Sequence, residues 1–494
     1  MARVIRRRVG RRSKEYHSIT TSVLTKFCAA APPMTSFVHF TDCRLAVYHS
    51  GDEPNNEKDG DGLCRRDVLV NADEGVIAAI LEPNNQDIAP HLLGSPRITI
   101  DKVDCGGNIL SPGFIDVQIN GYLGVDFSDA ATITADRVKM VAKRIVSTGV
   151  TSFSPTLISC SSEEYAHILP IIGPLCCGGG KGDEPNNIII NNNNNNNNNK
   201  NGTDENDYVA ANILGLHLEG PFFAPSKAGA HPKQHIRDPI EGMESVEETY
   251  GSANLREDYG VATVTLAPER DGAIEIIRTL SKQGIVVSMG HTDATLGDGQ
   301  KAMDNGATLI THMFNAMKPF HHREPALLGL VAEQSRGGMY LENTSTSNNE
   351  ELYFSIISDG IHTHPTAVRL AHSLCPDRAI LITDAMSAMG LGDGEHSLGD
   401  TRVLVKGMRA TVAGTDTLAG SVASMDVCIR SYRTYTQCST EQALKAATLH
   451  PAKVLGIHEK KGRLKVGADA DLVLLDDALN VLNTWVGGRD AEST

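Results

Sequence analysis

No uninterrupted apolar stretch of the 494-residue chain approaches the roughly 20 residues that a membrane helix requires. No segment shows the tripartite order of a secretory signal either, so neither a membrane nor secretion is expected. Cysteine is sparse and unpatterned. The 10 present include one adjacent pair, Cys176 and Cys177, and no CxxC, which argues against a disulfide framework or zinc ribbon and for a reducing compartment, the cytoplasm. Positive charge is also in deficit: a formal net charge of -15 repels nucleic acid and anionic lipid alike, so neither is expected as a partner. A phosphorylated ligand would have to meet a local basic pocket. The exception is the start of the chain, where Arg3, Arg6, Arg7, Arg8, Arg11, Arg12 and Lys14 face a single early acid, Glu15. Residues 1–35 therefore read as a basic extension, either an organelle transit peptide or, the preferred reading, sequence upstream of a fold that opens near Met34.

From Val38 to Val103 short apolar runs (FVHF, RLAVY, DVLV, VIAAI, RITI) are separated by Gly, Asp, Asn and Pro, the pattern of β-hairpins. Similar runs, GRLKV and DLVLL, return near the end. The two terminal segments, 36–110 and 456–494, are thus expected to build one small β-sandwich domain together. Between them, over 111–455, eight strand candidates follow one another: FIDVQIN, TSFSPTL, ILGLHLEG, ATVTLAPE, IVVSMGH, TLITHM, YFSIISDG and AILITDA. Helical patterns such as ADRVKMVAKRIVS, AIEIIRTLSKQG and TAVRLAHSL alternate with them, with apolar residues at i, i+3 and i+4. Such alternation implies parallel strands, and eight of them close into an α/β fold of the (β/α)8 TIM-barrel type. The Asn-rich segment at 176–207 holds too little apolar surface to offset its ordering entropy, and is expected to be a disordered insertion before the third strand.

Barrels of this kind carry their chemistry where the carboxyl ends of the strands meet the following loops. The third strand ends in His217-Leu218-Glu219, the fifth in His291, the sixth in His312, the seventh in Asp359 with His362 just beyond, and the eighth in Asp384. Glu219, His291 and His312 offer a carboxylate and two imidazoles, a ligand set for Zn2+ or Fe2+ that leaves a coordination position for water. Asp384 can then serve as base. A lone histidine is more often a satisfied core or surface residue, but Glu219, His291, His312 and Asp384 at four separate strand ends are hard to explain that way. His217 shares a face with Glu219 and is left outside the ligand set.

Five motifs, in order, carry a closer likeness: Pro112-Gly113-Phe114-Ile115-Asp116-Val117-Gln118-Ile119-Asn120-Gly121, Gly215-Leu216-His217-Leu218-Glu219-Gly220-Pro221-Phe222, Gly290-His291-Thr292, Thr311-His312-Met313-Phe314-Asn315-Ala316-Met317 and Thr383-Asp384-Ala385. Together they resemble the N-acetylglucosamine-6-phosphate deacetylase family of the amidohydrolase superfamily, over nearly everything from Val38 to Val481 except the Asn-rich insertion. The resemblance implies hydrolysis of a small phosphorylated amino sugar, N-acetylglucosamine 6-phosphate, to glucosamine 6-phosphate and acetate. It also implies that Glu219, His291 and His312 hold the metal and that Asp384 is the proton donor and acceptor. His231, in Gly229-Ala230-His231-Pro232, matches the histidine that contacts the acetamido region, with Ala230 beside it. Asn315 and Ala316 match positions that meet the sugar phosphate, and Arg323 in His321-His322-Arg323-Glu324-Pro325 supplies the cation there. Asp359 and His362 correspond to a further substrate contact, and Leu418, Ala419 and Gly420 to a loop closing over the sugar.

Many relatives in the superfamily place His-x-His at the end of the first strand to bind a second metal, whereas Gln118-x-Asn120 stands here. Amides coordinate cations less strongly than imidazole, so one divalent ion per subunit is expected, zinc in the first instance and Fe2+ or another transition metal as alternatives. The same substitution counts against cyclic-amide hydrolases of the dihydroorotase type, and the intact ligand set counts against a scaffold that has lost activity. The resemblance further implies a homodimer. At position 326, where the family usually has Gly after the proline, this chain has Ala.

Overall fold

The structure, a computed structural model, describes residues 35–47, 58–83, 98–176, 208–255, 260–334, 351–398 and 401–491. The basic extension expected over 1–35 and the insertion expected over 176–207 lie outside these, apart from Thr35 and Cys176. Among the described residues no helix is long and apolar enough to cross a membrane.

All eight expected barrel strands form, at Phe114–Ile119, Val150–Leu157, Leu216–Glu219, Val261–Leu266, Val286–Met289, Ala307–Ile310, Tyr353–Ile356 and Ala379–Leu381. They pair in parallel in that order. In the second strand every residue is buried, because a barrel strand is covered by helices outside and by side chains inside. The eighth strand is joined to the first by hydrogen bonds just beyond its end: Asp384 N–H donates to the Gln118 carbonyl (2.9 Å) and Asn120 N–H to the Ala385 carbonyl (2.8 Å). Beneath them the buried Asp116 carboxylate accepts from the Thr383 hydroxyl (2.6 Å), and burial pushes its pKa up to about 7.

The three helical patterns become Ala135–Ile145, Ala273–Lys282 and Pro365–Leu374. In the second of these, Ala273, Ile276, Ile277 and Leu280 are the buried stripe, at the 3.6-residue period that placed the helix in the sequence. Another helix, Ser162–Ile172, is started by a reciprocal cap, in which the Ser161 hydroxyl accepts from Glu164 N–H and the Glu164 carboxylate accepts from Ser161 N–H.

Both ends of the chain meet in one eight-stranded sheet. Leu472–Leu475 pairs antiparallel with Ile109–Pro112 on one side and with Val481–Val486 on the other. The strand Thr35–Leu45 continues the same sheet. Its core includes Phe40, Leu45, Val68 and Val70 from the first segment and Leu464, Leu472 and Trp485 from the last. The single Trp of the chain, Trp485, stands edge-on to Phe40 with ring centroids 4.9 Å apart, so neither terminal segment completes this core alone.

A three-stranded antiparallel sheet, Gly394–Leu398, Thr401–Lys406 and Arg409–Val412, rises after the eighth barrel strand. It is not among the strands expected over 111–455. It buries Val403, Val405 and Ala410 against Met386, Ala388 and Ala419, next to the barrel mouth.

Candidate active site and metal centre

Glu219 is the last residue of its strand, while His291 and His312 each stand two residues past the end of theirs, and Asp384 three past its own. His291, His312 and Asp384 all take left-handed backbone angles, with φ of 48°, 31° and 46°. Non-glycine residues adopt this region at a cost of order 1–3 kcal/mol each, and such strain concentrates at functional sites. Each strand thereby turns its terminal side chain in over the barrel axis.

The three expected ligands converge. Glu219 Oε1 lies 3.0 Å from His312 Nε2 and 3.3 Å from His291 Nε2, and the two nitrogens are 3.0 Å apart. Ligand atoms held at roughly 2.0–2.1 Å from one tetrahedral ion stand about 3.3 Å from each other, so the spacing fits a small divalent cation. Tautomers fit as well: His291 Nδ1 is 2.7 Å from the Lys227 carbonyl, which can only accept, so Nδ1 carries the hydrogen and Nε2 presents its lone pair. His312 Nδ1 is buried without a hydrogen-bond partner among the described residues. Among the described residues this is the only group of three or more His, Cys, Asp or Glu side chains with metal-ligand spacing. Phe223 stacks on the His291 ring, centroids 4.2 Å apart, and closes one side of the site.

Electrostatics separate the two carboxylates. Burial opposes ionisation of Glu219, but the His291 and His312 imidazoles packed against it outweigh that effect and hold the carboxyl well below its usual range. Asp384 moves the other way, pushed up to about 6 by burial and by the neighbouring Glu219 charge. One carboxylate is thus a permanent anion suited to a cation, and the other is a carboxyl able to take up or release a proton near neutrality. Burial pushes His291 down, whereas on His312 the burial effect is overcome by Glu219 and the pKa rises.

His231 joins the cluster with Nε2 3.9 Å from Glu219 Oε2. Its Nδ1 accepts the backbone N–H of Ser159 at 3.1 Å, which assigns the ring hydrogen to Nε2, and burial drives its pKa down to about 3. A neutral imidazole therefore offers a fixed N–H donor inside the site. Ser159 lies 72 residues from His231, and nothing in the sequence links them. Ala230, beside it, is exposed on the same loop.

The remaining expected residues divide. Asn315 and Ala316 follow His312 in a turn where Asn315 N–H donates to the His312 carbonyl (2.9 Å) and the Ala316 carbonyl accepts from Thr292 N–H (3.0 Å), linking both to the two metal-ligand loops. The side chain of Asn315 donates to Thr363. Leu418, Ala419 and Gly420 lead into Ser421, whose N–H donates to the Asp384 carbonyl at 3.2 Å, so this loop adjoins the segment after the eighth strand. His362 faces Asp359, whose second oxygen accepts from its Nδ1 at 2.7 Å, while the first accepts from the N–H groups of Ile361 and His362. The Asp359 side chain is buried in these contacts and orients His362. Arg323 stands in an exposed turn bridged by His321 and Glu324, and forms no ion pair among the described residues. Ala326 takes a φ of 52°, which explains why glycine suits that position. His217 lies under the site, its ring shared between Thr265 Oγ1 (2.7 Å) and the Val117 carbonyl (3.2 Å), and is outside the ligand set.

Residues 189–490 match the amidohydrolase family. N-acetylglucosamine-6-phosphate deacetylase of Bos taurus is 42% identical over 453 residues, covering 92% of this chain and 95% of that one. The enzyme of the same name from Danio rerio is 43% identical over 392 residues, 78% of this chain and 85% of its own. Among solved structures, a mutant N-acetyl-D-glucosamine-6-phosphate deacetylase from Mycobacterium smegmatis in complex with N-acetyl-D-glucosamine-6-phosphate superposes with a TM-score of 0.68 at 26% identity, covering 93% of this chain and 100% of that one.

Proposed function

We propose, for a chain that belongs to the amidohydrolase family and within it to the N-acetylglucosamine-6-phosphate deacetylases, that it hydrolyses N-acetylglucosamine 6-phosphate to glucosamine 6-phosphate and acetate. The convergence of Glu219, His291 and His312 beside Asp384 is the observation that carries the reading. Those three residues would hold one divalent ion, zinc by preference, since two imidazoles and a carboxylate in a tetrahedral spacing suit it. Bound there, the ion supplies Lewis-acid activation of water and of the acyl carbonyl.

The chain's own residues do the rest. Asp384 accepts the proton of the attacking water and delivers it to the departing nitrogen, a role matched to a carboxyl near pH 6. His231 donates its Nε2 hydrogen to the carbonyl oxygen as negative charge gathers on it; because its ring is held by Ser159, no reorganisation is needed at that moment. Asn315 and Ala316 hold the sugar phosphate with Arg323, whose guanidinium matches phosphate geometry, and His362 and the Leu418–Gly420 loop position the sugar. The enzyme works as a homodimer, in which Phe320, 59% exposed beside the Arg323 turn, is covered by the second copy. The compartment is the cytoplasm, in keeping with eight described cysteines that are all free thiols.

Purified protein incubated with N-acetylglucosamine 6-phosphate should release acetate, with the unphosphorylated sugar turned over far more slowly and a chelator stopping the reaction. Equal rates on both sugars, or release untouched by chelation, would overturn the reading.

A further inference from the structure

The first-strand amides, Gln118 and Asn120, are not idle replacements for histidine. Gln118 Nε2 donates to Glu219 Oε1 at 2.9 Å and to Asp384 Oδ1 at 3.3 Å, and Asn120 Nδ2 donates to the same Asp384 Oδ1 at 2.7 Å. A carboxylate only accepts, so both amides must present their NH2 groups to it. Asn120 does so at a cost, because its own Oδ1 is left buried without a partner among the described residues. The backbone gives these side chains a rigid base: the Gln118 carbonyl accepts from Asp384 N–H, Asn120 N–H donates to the Ala385 carbonyl, and the Asn120 carbonyl accepts from Phe127 N–H (3.0 Å). Main chain and side chain of this segment therefore grip Asp384 itself and the residue after it.

We propose that Gln118 and Asn120 form a neutral clamp that fixes Asp384 through Oδ1 alone and reserves Oδ2, which has no hydrogen-bond partner among the described residues, for proton transfer. They are positioning residues and touch no reacting atom. Where a second cation would hold the carboxylate by cancelling its charge, amide donors hold it and leave the charge in place. By spanning Glu219 and Asp384, Gln118 also fills the gap in which a second ion would sit. The proposal rests on the functional reading above.

The test compares Asn120→Ala, the isosteric Asn120→Asp and the isosteric Gln118→Glu with the unaltered chain, measuring kcat, KM, melting temperature and divalent metal per chain. In Asn120→Ala, kcat should fall about 10- to 100-fold, the worth of one hydrogen bond to a charged group, with KM and metal content unchanged. Asn120→Asp keeps the shape and reverses the donor, so kcat should fall at least as far, and if the alanine variant fails to fold the aspartate variant decides. Gln118→Glu puts a carboxylate between two others and should raise bound metal above one ion per chain. A kcat within about twofold of the unaltered chain in both Asn120 variants, or a loss that only tracks lost metal, overturns the clamp. Acetate release absent from the unaltered protein would instead overturn the functional reading itself.

Discussion

Both the barrel mouth and the small β domain bury a carboxylate against imidazole, yet only one of them is built as a site. In the β domain His39 is 2% exposed and Asp67 1%, their closest atoms are 3.5 Å apart, and neither His39 nitrogen has a close hydrogen-bond partner among the described residues. Asp67 serves the local backbone, since its Oδ1 accepts from the N–H of Asp42, the residue with φ 52° at the bulge between Phe40 and Cys43. Burial pushes the His39 pKa down, so the pair amounts to a neutral ring beside a loop-holding acid. At the mouth, by contrast, Glu219 meets two rings at 3.0 and 3.3 Å, and the rings meet each other at 3.0 Å. Burial of polar groups is thus common to both places. Convergence of three lone pairs on one point, with a proton carrier beside it, is what separates chemistry from architecture.

That contrast can be broken in graded steps. Asp384→Asn removes the proton carrier while keeping shape, and should cut kcat by roughly 10^2- to 10^4-fold with metal content intact; near-normal turnover would take Asp384 out of the mechanism. His231→Ala should cost less, about 10^2-fold in kcat, since one oxyanion donor is lost and the ion remains; a change confined to KM would make His231 a binding residue only. For Arg323→Ala, KM for the phosphorylated sugar should rise roughly tenfold with little change in kcat, and an unaltered KM would contradict its phosphate role. Asp67→Ala, on the other side of the comparison, should lower stability by about 1–3 kcal/mol in a denaturant titration and leave kcat of the folded protein unchanged. A fall in kcat there would mean that the β domain is coupled to the site.

The parts of the molecule that are legible in the sequence are those with local periodicity or distinctive chemistry. The eight barrel strands and the Ala273–Lys282 helix follow from apolar spacing, and Glu219, His291, His312 and Asp384 from their position at strand ends. Non-local facts are not legible: Ser159 holding His231 across 72 residues, or the Lys227 carbonyl setting the His291 tautomer. Equally hidden is the loop geometry that gives the two Asp359 oxygens to the N–H groups of Ile361 and His362 and to the His362 ring. The three-stranded sheet after the eighth strand does carry a readable signal, alternating Val403 and Val405 and a Gly407 turn with φ 56°, but it lies inside a span whose rhythm is set by the barrel.

Divalent metal per chain, measured on the unaltered protein and on Glu219→Gln side by side, addresses the core of the account most directly. One ion per folded chain, lost together with acetate release when Glu219 becomes an amide, is the predicted result. A Glu219→Gln protein that keeps its ion and its turnover would contradict it.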